Sequence, residues 1–293
     1  MNKKKILITG GTGFIGNAIL KILSSHDYEL LCLSRKYQKK TKNIIWIKSS
    51  LNLSKLDLLK VKNFNPYALI HLSWEKIPDF SEKVCNKNYK DNIIFFNKIK
   101  KVDSLKKIII TGSCFEYKNK SGKKKEDNKV NLIDNFPLTK YKTYKELKKI
   151  FGNKIKFAWF RVFFAYGPNQ RKGSLIPYLI NSLEKKEPVE IKNPYSMNDF
   201  IFVNDIAKII KKSLTTNFIS GIYNLGSGKL TKIMDIIKII EQYKKKKIIV
   251  KLSNNNKRKL FYADMTKTIT TFKIKNFVKL NAGIKKTLLK IKM

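Results

Sequence analysis

The chain has 293 residues, 43% of them hydrophobic, and a formal net charge of +42 at pH 7. That length allows one sizeable core or a main domain with a smaller companion, and the hydrophobic share is that of an ordinary globular protein. No apolar stretch approaches the length of a membrane span, and the three cysteines, Cys32, Cys85 and Cys114, are too few and too scattered for a disulfide or zinc framework.

These cysteines are those of a reducing cytoplasm, and no metal is expected. The apolar run after Lys3-Lys4-Lys5 breaks at Thr9-Gly10-Gly11, so no secretory leader is expected either. The charge would suit a polyanion partner, yet only Arg35, Arg161, Arg171 and Arg258 among the 63 Lys+Arg are arginine. Base and phosphate recognition recruits Arg. Compositional drift toward Lys, Asn and Ile therefore explains the charge better than nucleic-acid binding. The basic field still favours an anionic substrate.

In chain order, Lys5–Thr9 reads as a strand and Phe14–Leu23 as a helix. Strands follow at Tyr28–Leu33, Ile44–Ile47 and Ala68–Leu72. Asn88–Ile99 is a helix, Lys107–Thr111 a strand, Tyr141–Phe151 a helix and Lys156–Phe164 a strand. Such alternation predicts an α/β fold, a doubly wound parallel sheet of Rossmann type with ligands at the carboxyl ends of its strands. From Tyr166 onward the alternation weakens, with Pro168, Pro177, Pro188 and Pro194 interrupting short helices. Strands at Phe200–Val203 and near Ile222–Leu225 are expected to return to the main sheet. The expected division is thus 1–165, with 198–226 returning to it, as the cofactor domain. A smaller discontinuous domain of 166–197 and 227–293 would bind substrate.

Residues 9–16 read Thr-Gly-Gly-Thr-Gly-Phe-Ile-Gly, between the first strand and the first helix. Glycine there lets a pyrophosphate approach bare backbone while the helix N-terminus faces the anion. Gly10, Thr12, Gly13, Phe14, Ile15 and Gly16 are therefore candidate cofactor contacts. An NAD enzyme usually carries an acid about 20 residues further on, for the ribose 2′-OH. Here Ser34-Arg35-Lys36 follows the second strand without a carboxylate. Ser34 and Arg35 suit a 2′-phosphate, so NADP(H) is favoured over NAD(H).

Tyr141 and Lys145 lie four apart, on one helix face. A lysine charge favours the phenolate, and such a tyrosine can exchange a proton with a carbonyl oxygen. The spacing alone decides nothing, because Tyr144/Lys148 and Tyr243/Lys247 share it. Tyr144 recurs with Leu147 and Phe151 on an apolar stripe, whereas Tyr141 lies off it. Pro137, four before Tyr141, fits a loop entering the helix. Tyr243 sits in a lysine run.

With the glycine turn, His71-Leu72-Ser73, Ser113 four before Tyr117, Pro137 with Tyr141 and Lys145, and Arg161 before Tyr166-Gly167-Pro168, the chain resembles the extended short-chain dehydrogenase/reductases of the NAD-dependent epimerase/dehydratase family. Further matches are Ser174-Leu-Ile-Pro177, Asp199-Phe-Ile-Phe-Val-Asn-Asp205, Tyr223-Asn-Leu-Gly-Ser-Gly228 and Ala263-Asp264. The resemblance implies a nucleotide-sugar substrate and a homodimer. It makes Ser113 the holder of the substrate carbonyl, Tyr141 the general acid, Lys145 a ribose contact that tunes Tyr141, and Leu72 a cofactor contact. Where sugar dehydratases carry Asp-Glu after the catalytic Ser/Thr, this chain has Cys114-Phe115, which argues against elimination. Where epimerases and dehydratases have Asn before Tyr-Gly-Pro, it has Phe164. Both features resemble reductases of dTDP-4-keto-6-deoxyhexoses, with an epimerase as the alternative and a non-catalytic nucleotide- or RNA-binding member as a third reading. Asn198 replaces the family's arginine and Ser50 its aspartate after strand three. Glu116, Phe164 and Arg171 are candidate substrate contacts, with Trp74 and Arg258 as weaker ones. His71 is expected to pack under the cofactor and Cys114 to be a buried thiol.

Overall fold

A computed structural model describes residues 3–24, 28–39, 41, 43–193, 195–252 and 259–290. The chain divides into two compact units. The first comprises Met1–Lys118, Asn128–Arg161 and Ala207–Tyr223; the second comprises Asn119–Asp127, Val162–Ile206 and Asn224–Met293.

In chain order the elements leading to the first unit's sheet are β1 (Lys4–Thr9), α1 (Phe14–Leu23), β2 (Tyr28–Ser34), β3 (Ile44–Lys48), α2 (Lys55–Phe64), β4 (Ala68–His71), α3 (Glu82–Ile99) and β5 (Lys107–Ser113). A single 3-10 turn, Cys114–Glu116, follows, then β6 (Gly122–Lys124), α4 (Asn135–Phe151) and β7 (Lys156–Val162). Next come β8 (Phe164–Tyr166), α5 (Leu175–Lys185), β9 (Val189–Ile191), β10 (Met197–Phe202), α6 (Val203–Thr215) and β11 (Gly221–Leu225). The chain closes with β12 (Leu230–Lys232), α7 (Ile233–Lys244), β13 (Val250–Leu252), β14 (Leu260–Ala263), α8 (Thr266–Phe272) and α9 (Leu280–Leu288).

The first unit is the expected Rossmann layer. Its seven-stranded sheet runs β3-β2-β1-β4-β5-β7-β11, and the pairings from β3 through β5 are parallel. Strands buried on both faces read as near-continuous apolar runs, and Ile6-Leu7-Ile8, Leu30–Leu33 and Ile108-Ile109-Ile110 are all buried. Phe95, Phe96 and Ile99 of α3 pack with Leu147 and Phe151 of α4 in one core cluster. The chain order reverses beside β1, where β2 lies on one side and β4 on the other, and such a switch point opens a crevice at the strand ends.

The second unit is built on a sheet in the order β12-β10-β14-β6, with β8 also paired to β10, and on a β13-β9 pair. β10 runs antiparallel to β12 and parallel to β14 and β8. Its core gathers Leu179 and Leu183 of α5, Ile236 and Ile240 of α7, and Ile284 of α9. Asp199 ties this unit together. Its buried carboxylate accepts the backbone N–H groups of Ser227 (2.7 Å), Gly228 (2.9 Å) and Ala263 (3.1 Å), and the Ser227 hydroxyl at 2.6 Å.

Two expectations need correction. The strand at Phe200–Val203 is β10 and does not return to the main sheet; only the strand near Ile222–Leu225, now β11, does so. Residues 119–127 and 162–165 fall within the second compact unit. Helix α4 starts at Asn135, so Pro137 lies inside its first turn rather than in a loop. Proline is tolerated there because the first-turn N–H groups have no intrahelical acceptor.

Candidate active site

The glycine turn connects β1 to α1 by a path that excludes side chains at two points. Gly10 has φ +71°, and a Cβ on it would lie 2.8 Å from the Leu72 carbonyl carbon and the Ser73 nitrogen. A Cβ on Gly16 would lie 2.2 Å from the Gly10 carbonyl oxygen. The turn closes with Gly13 N–H donating to Gly10 O at 3.0 Å, and Gly13 caps α1. The first turn of α1 thus presents unpaired N–H groups with no acidic side chain to oppose an anion.

Above the turn lies a cleft of about 680 Å³. Gly10, Thr12, Gly13, Ser34, Arg35 and Leu72 line it, with Trp74 and Glu75 among its other residues. Six of the expected cofactor residues therefore share one cavity. Phe14 and Ile15 are half-buried in the first turn of α1, and Gly16 is buried beneath Gly10. The Trp74 indole N–H is buried and has no hydrogen-bond partner among the described residues. Glycines that admit backbone and a helix N-terminus without an acidic side chain together fit a dinucleotide.

At the carboxyl end of β5, the Ser113 hydroxyl accepts Phe115 N–H at 3.2 Å, so its own proton remains available to a ligand. Tyr141 and Lys145 project from α4, which packs against β5 and the following 3-10 turn. The Lys145 ammonium lies 5.9 Å from the centroid of the half-exposed Tyr141 ring. Tyr144 has a different place. It meets Trp159 edge-on at 5.6 Å and Phe157 at 6.1 Å, and burial raises its pKa. Tyr243 and Lys247 belong to the surface.

Glu116, a candidate substrate contact, is enclosed by the protein in this structure. It is fully buried, and each carboxylate oxygen already has two donors. Oε1 accepts Ser113 N–H at 2.7 Å and the Trp159 indole N–H at 3.1 Å. Oε2 accepts the same indole and Arg161 Nε, each at 3.1 Å. Arg161, 1% exposed, also stacks over the Tyr117 ring at 4.5 Å. In the second unit, Phe164 is half-buried between Phe200 and Phe261, and exposed Arg171 donates to the Ser174 hydroxyl at 3.2 Å. Arg258 and Pro194 lie outside the described residues.

His71 is buried. Asn92 donates its amide to Asn88 O at 2.7 Å, so its Oδ1 must accept from His71 Nε2 at 2.6 Å. Nδ1 then accepts the Thr9 hydroxyl at 2.8 Å. Burial pushes the His71 pKa down to about 4, so the ring is neutral. Cys114 is buried, as expected.

Two polar residues escaped the sequence reading. Buried Lys140 sets its ammonium 3.9 Å from the Trp74 ring centroid and donates to Thr111 O at 3.1 Å, and burial lowers its pKa to about 8. Glu75 faces Arg35 across the cleft, with Oε1 2.7 Å from Arg35 Nη1. A carboxylate does reach the end of β2, but from the loop after β4. Its only advance signal was an acid following His71-Leu-Ser-Trp74 in a chain with just 21 Asp+Glu.

Among the described residues no group of three or more His, Cys, Asp or Glu could hold a metal, and no helix is long and apolar enough to cross a membrane.

Residues 6–226 match the model of the NAD dependent epimerase/dehydratase family, and the chain belongs to that family. Its relatives differ in their reactions. It is 24% identical over 247 residues to CDP-abequose synthase of Salmonella muenchen, covering 82% of this chain and 80% of that one. It is 26% identical over 272 residues to dTDP-4-dehydro-6-deoxyglucose reductase of Escherichia coli, covering 85% and 84%. With ADP-L-glycero-D-manno-heptose-6-epimerase of Brachyspira hyodysenteriae it shares 27% over 308 residues, covering 96% of each. UDP-glucuronic acid 4-epimerase from Bacillus cereus, solved with UDP-glucuronic acid and NAD, superposes with a TM-score of 0.85 at 22% identity over 98% of both chains.

Proposed function

We propose that this chain is an NAD(P)H-dependent reductase of the 4-keto group in a nucleotide-activated 4-keto-6-deoxyhexose. The observation that carries this reading is the state of the carboxylate beside Ser113. Elimination needs a free acid or base after the catalytic Ser/Thr. Here Cys114 and Phe115 stand in that place, and the next acid, Glu116, is sealed by Ser113, Trp159 and Arg161. What remains is a hydroxyl donor, Ser113, and a tyrosine with a lysine beside it. Those groups suit carbonyl reduction and leave dehydration without its proton carrier. Two relatives whose names give 4-dehydro-sugar reductase and CDP-abequose synthase support the same substrate class.

When bound, a reduced nicotinamide would supply hydride for the ketone carbon. In this proposal the Ser113 hydroxyl donates a hydrogen bond to the ketone oxygen and holds it in place. Tyr141 Oη gives its proton to that oxygen as negative charge develops. The Lys145 ammonium stabilises the phenolate left behind. Arg35 and Lys36 line the cleft as cations suited to a 2′-phosphate, so NADP(H) is favoured and NAD(H) is allowed.

An epimerase of the same fold is the second reading, favoured by the match to a heptose 6-epimerase across 96% of the chain. Stoichiometry separates them. With dTDP-4-dehydro-6-deoxyglucose, a reductase consumes one NAD(P)H per product, and an epimerase consumes none. Loss of nicotinamide absorbance in step with product supports reduction; product without that loss rejects it.

A further inference from the structure

We propose that Glu75 sets the choice between NADH and NADPH by occupying Arg35, an inference that rests on the dinucleotide reading of the cleft. The end of β2 offers Ser34, Arg35 and Lys36, with no acid of its own. Glu75 supplies one from the loop after β4, with Oε1 2.7 Å from Arg35 Nη1 and Oε2 3.2 Å from Lys87 Nζ. Lys87 is shared with Asp91 at 2.6 Å.

Glu75 is held there by its backbone. Asn88, itself 3% exposed, accepts Glu75 N–H through Oδ1 at 2.7 Å. The Asn88 amide donates to Glu75 O at 3.4 Å and to Val84 O at 2.8 Å. Residue 75 is thus fixed to α3 by both of its main-chain groups. Loop motion cannot remove residue 75 without breaking these two hydrogen bonds to Asn88.

Consider the two cofactors at that position. A ribose 2′-hydroxyl is neutral and does not compete for the guanidinium, so Glu75 and Arg35 can stay paired. A 2′-phosphate is an anion of nearly two charges. It must draw Arg35 away from Glu75 and then sit beside the carboxylate it displaced. The Arg35 side chain is 66% exposed and Glu75 24% exposed, so the pair itself contributes little to stability. Its effect falls on discrimination: the arginine that should favour NADPH is already partnered.

Five proteins test this: the intact chain, Glu75→Gln, Glu75→Ala, Arg35→Ala and the Glu75→Gln/Arg35→Ala double variant. Each is titrated with NADH and with NADPH, following nicotinamide fluorescence, at low salt and at about 0.5 M salt, where exposed charges are screened. The intact chain should bind the two cofactors within about tenfold of each other. Glu75→Gln should tighten NADPH about tenfold, equivalent to 1.4 kcal/mol, and leave NADH within threefold. Arg35→Ala should cost NADPH more in the Glu75→Gln background than in the intact one. High salt should shrink all these differences. Glu75→Ala should shift the ratio in the same direction. An unchanged NADPH-to-NADH ratio in both Glu75 variants overturns the proposal while leaving the dinucleotide site standing. Selective loss of NADH overturns it too, and assigns Glu75 to the ribose hydroxyls. Failure of the intact chain to bind either cofactor overturns this proposal together with the reading beneath it.

Discussion

Glu116 holds Ser113 by its backbone: the carboxylate Oε1 accepts Ser113 N–H at 2.7 Å while the Ser113 hydroxyl turns back to cap the same turn. The negative charge is balanced by Arg161, and neither side chain reaches solvent. Removing one member of such a pair leaves a buried charge without its partner. Glu116→Gln is therefore expected to cost about 3–5 kcal/mol, read by urea unfolding. Pairing it with Arg161→Met should recover part of that loss. If Glu116→Gln unfolds at the same urea concentration as the parent, the pair does not hold this turn.

Tyr141→Phe should lower turnover by about 10²–10⁴-fold and leave cofactor binding intact. Tyr144→Phe should keep its rate within a few-fold, because its ring packs on Phe157 and Trp159. Steady-state rates and a cofactor titration on both variants decide it. The reverse pattern would move the general acid to Tyr144.

His71 should make the fold sensitive to acid. Its pKa is about 4 in the folded chain against an ordinary 6.5. Below about pH 6.5 the unfolded chain takes up a proton that the folded chain refuses until about pH 4. Stability from this group is thus complete above pH 6.5 and declines as pH falls toward 4. The difference of about 2.5 pKa units corresponds to about 3 kcal/mol. His71→Gln should start less stable at pH 7, since Thr9 and Asn92 lose their partner. Its unfolding free energy should then fall less steeply from pH 6.5 to 4 than that of the parent. Parallel curves would show that His71 is not buried in neutral form.

Lys107 should prove to be a helix stop. Its buried ammonium donates to Ser213 O (3.2 Å), Leu214 O (3.0 Å) and Thr216 O (2.6 Å) at the carboxyl end of α6. Those carbonyls have no partner further along the helix, and the helix end attracts a cation. Lys107→Met keeps the stem and removes the donors. A loss of about 1–3 kcal/mol is expected, with faster amide exchange at Thr215 and Thr216. Unchanged exchange there would remove Lys107 from this role.

The long buried strands were legible because an interior strand must be apolar on both faces. β1, β2, β4 and β5 each carry such a run, and the glycine turn between β1 and α1 declares itself by position. Helix α2 was missed, since lysines cover it and Val61 is its single fully buried side chain. The three-residue strands β6, β8, β9, β12 and β13 are shorter than any period that could reveal them. Within the site, Ser113, Tyr141 and Lys145 came from local spacing and resemblance. The pairing of Arg35 with Glu75 joins residues forty positions apart, and no local pattern encodes it. Glu116 meets the same limit: its distance from Ser113 is visible in the sequence, but its enclosure by Trp159 and Arg161 is not.

The Arg161 site also bears on how this chain tolerates its own composition. Lysine has taken over almost every cationic position, yet the residue between Glu116 and Tyr117 is still arginine. A flat guanidinium can give an edge to a carboxylate and a face to an aromatic ring at the same time, which a tetrahedral ammonium cannot. Where planarity matters, a shift in amino-acid usage meets a physical limit. In other lysine-saturated sequences, the few arginines that persist are the first places to look for buried architecture.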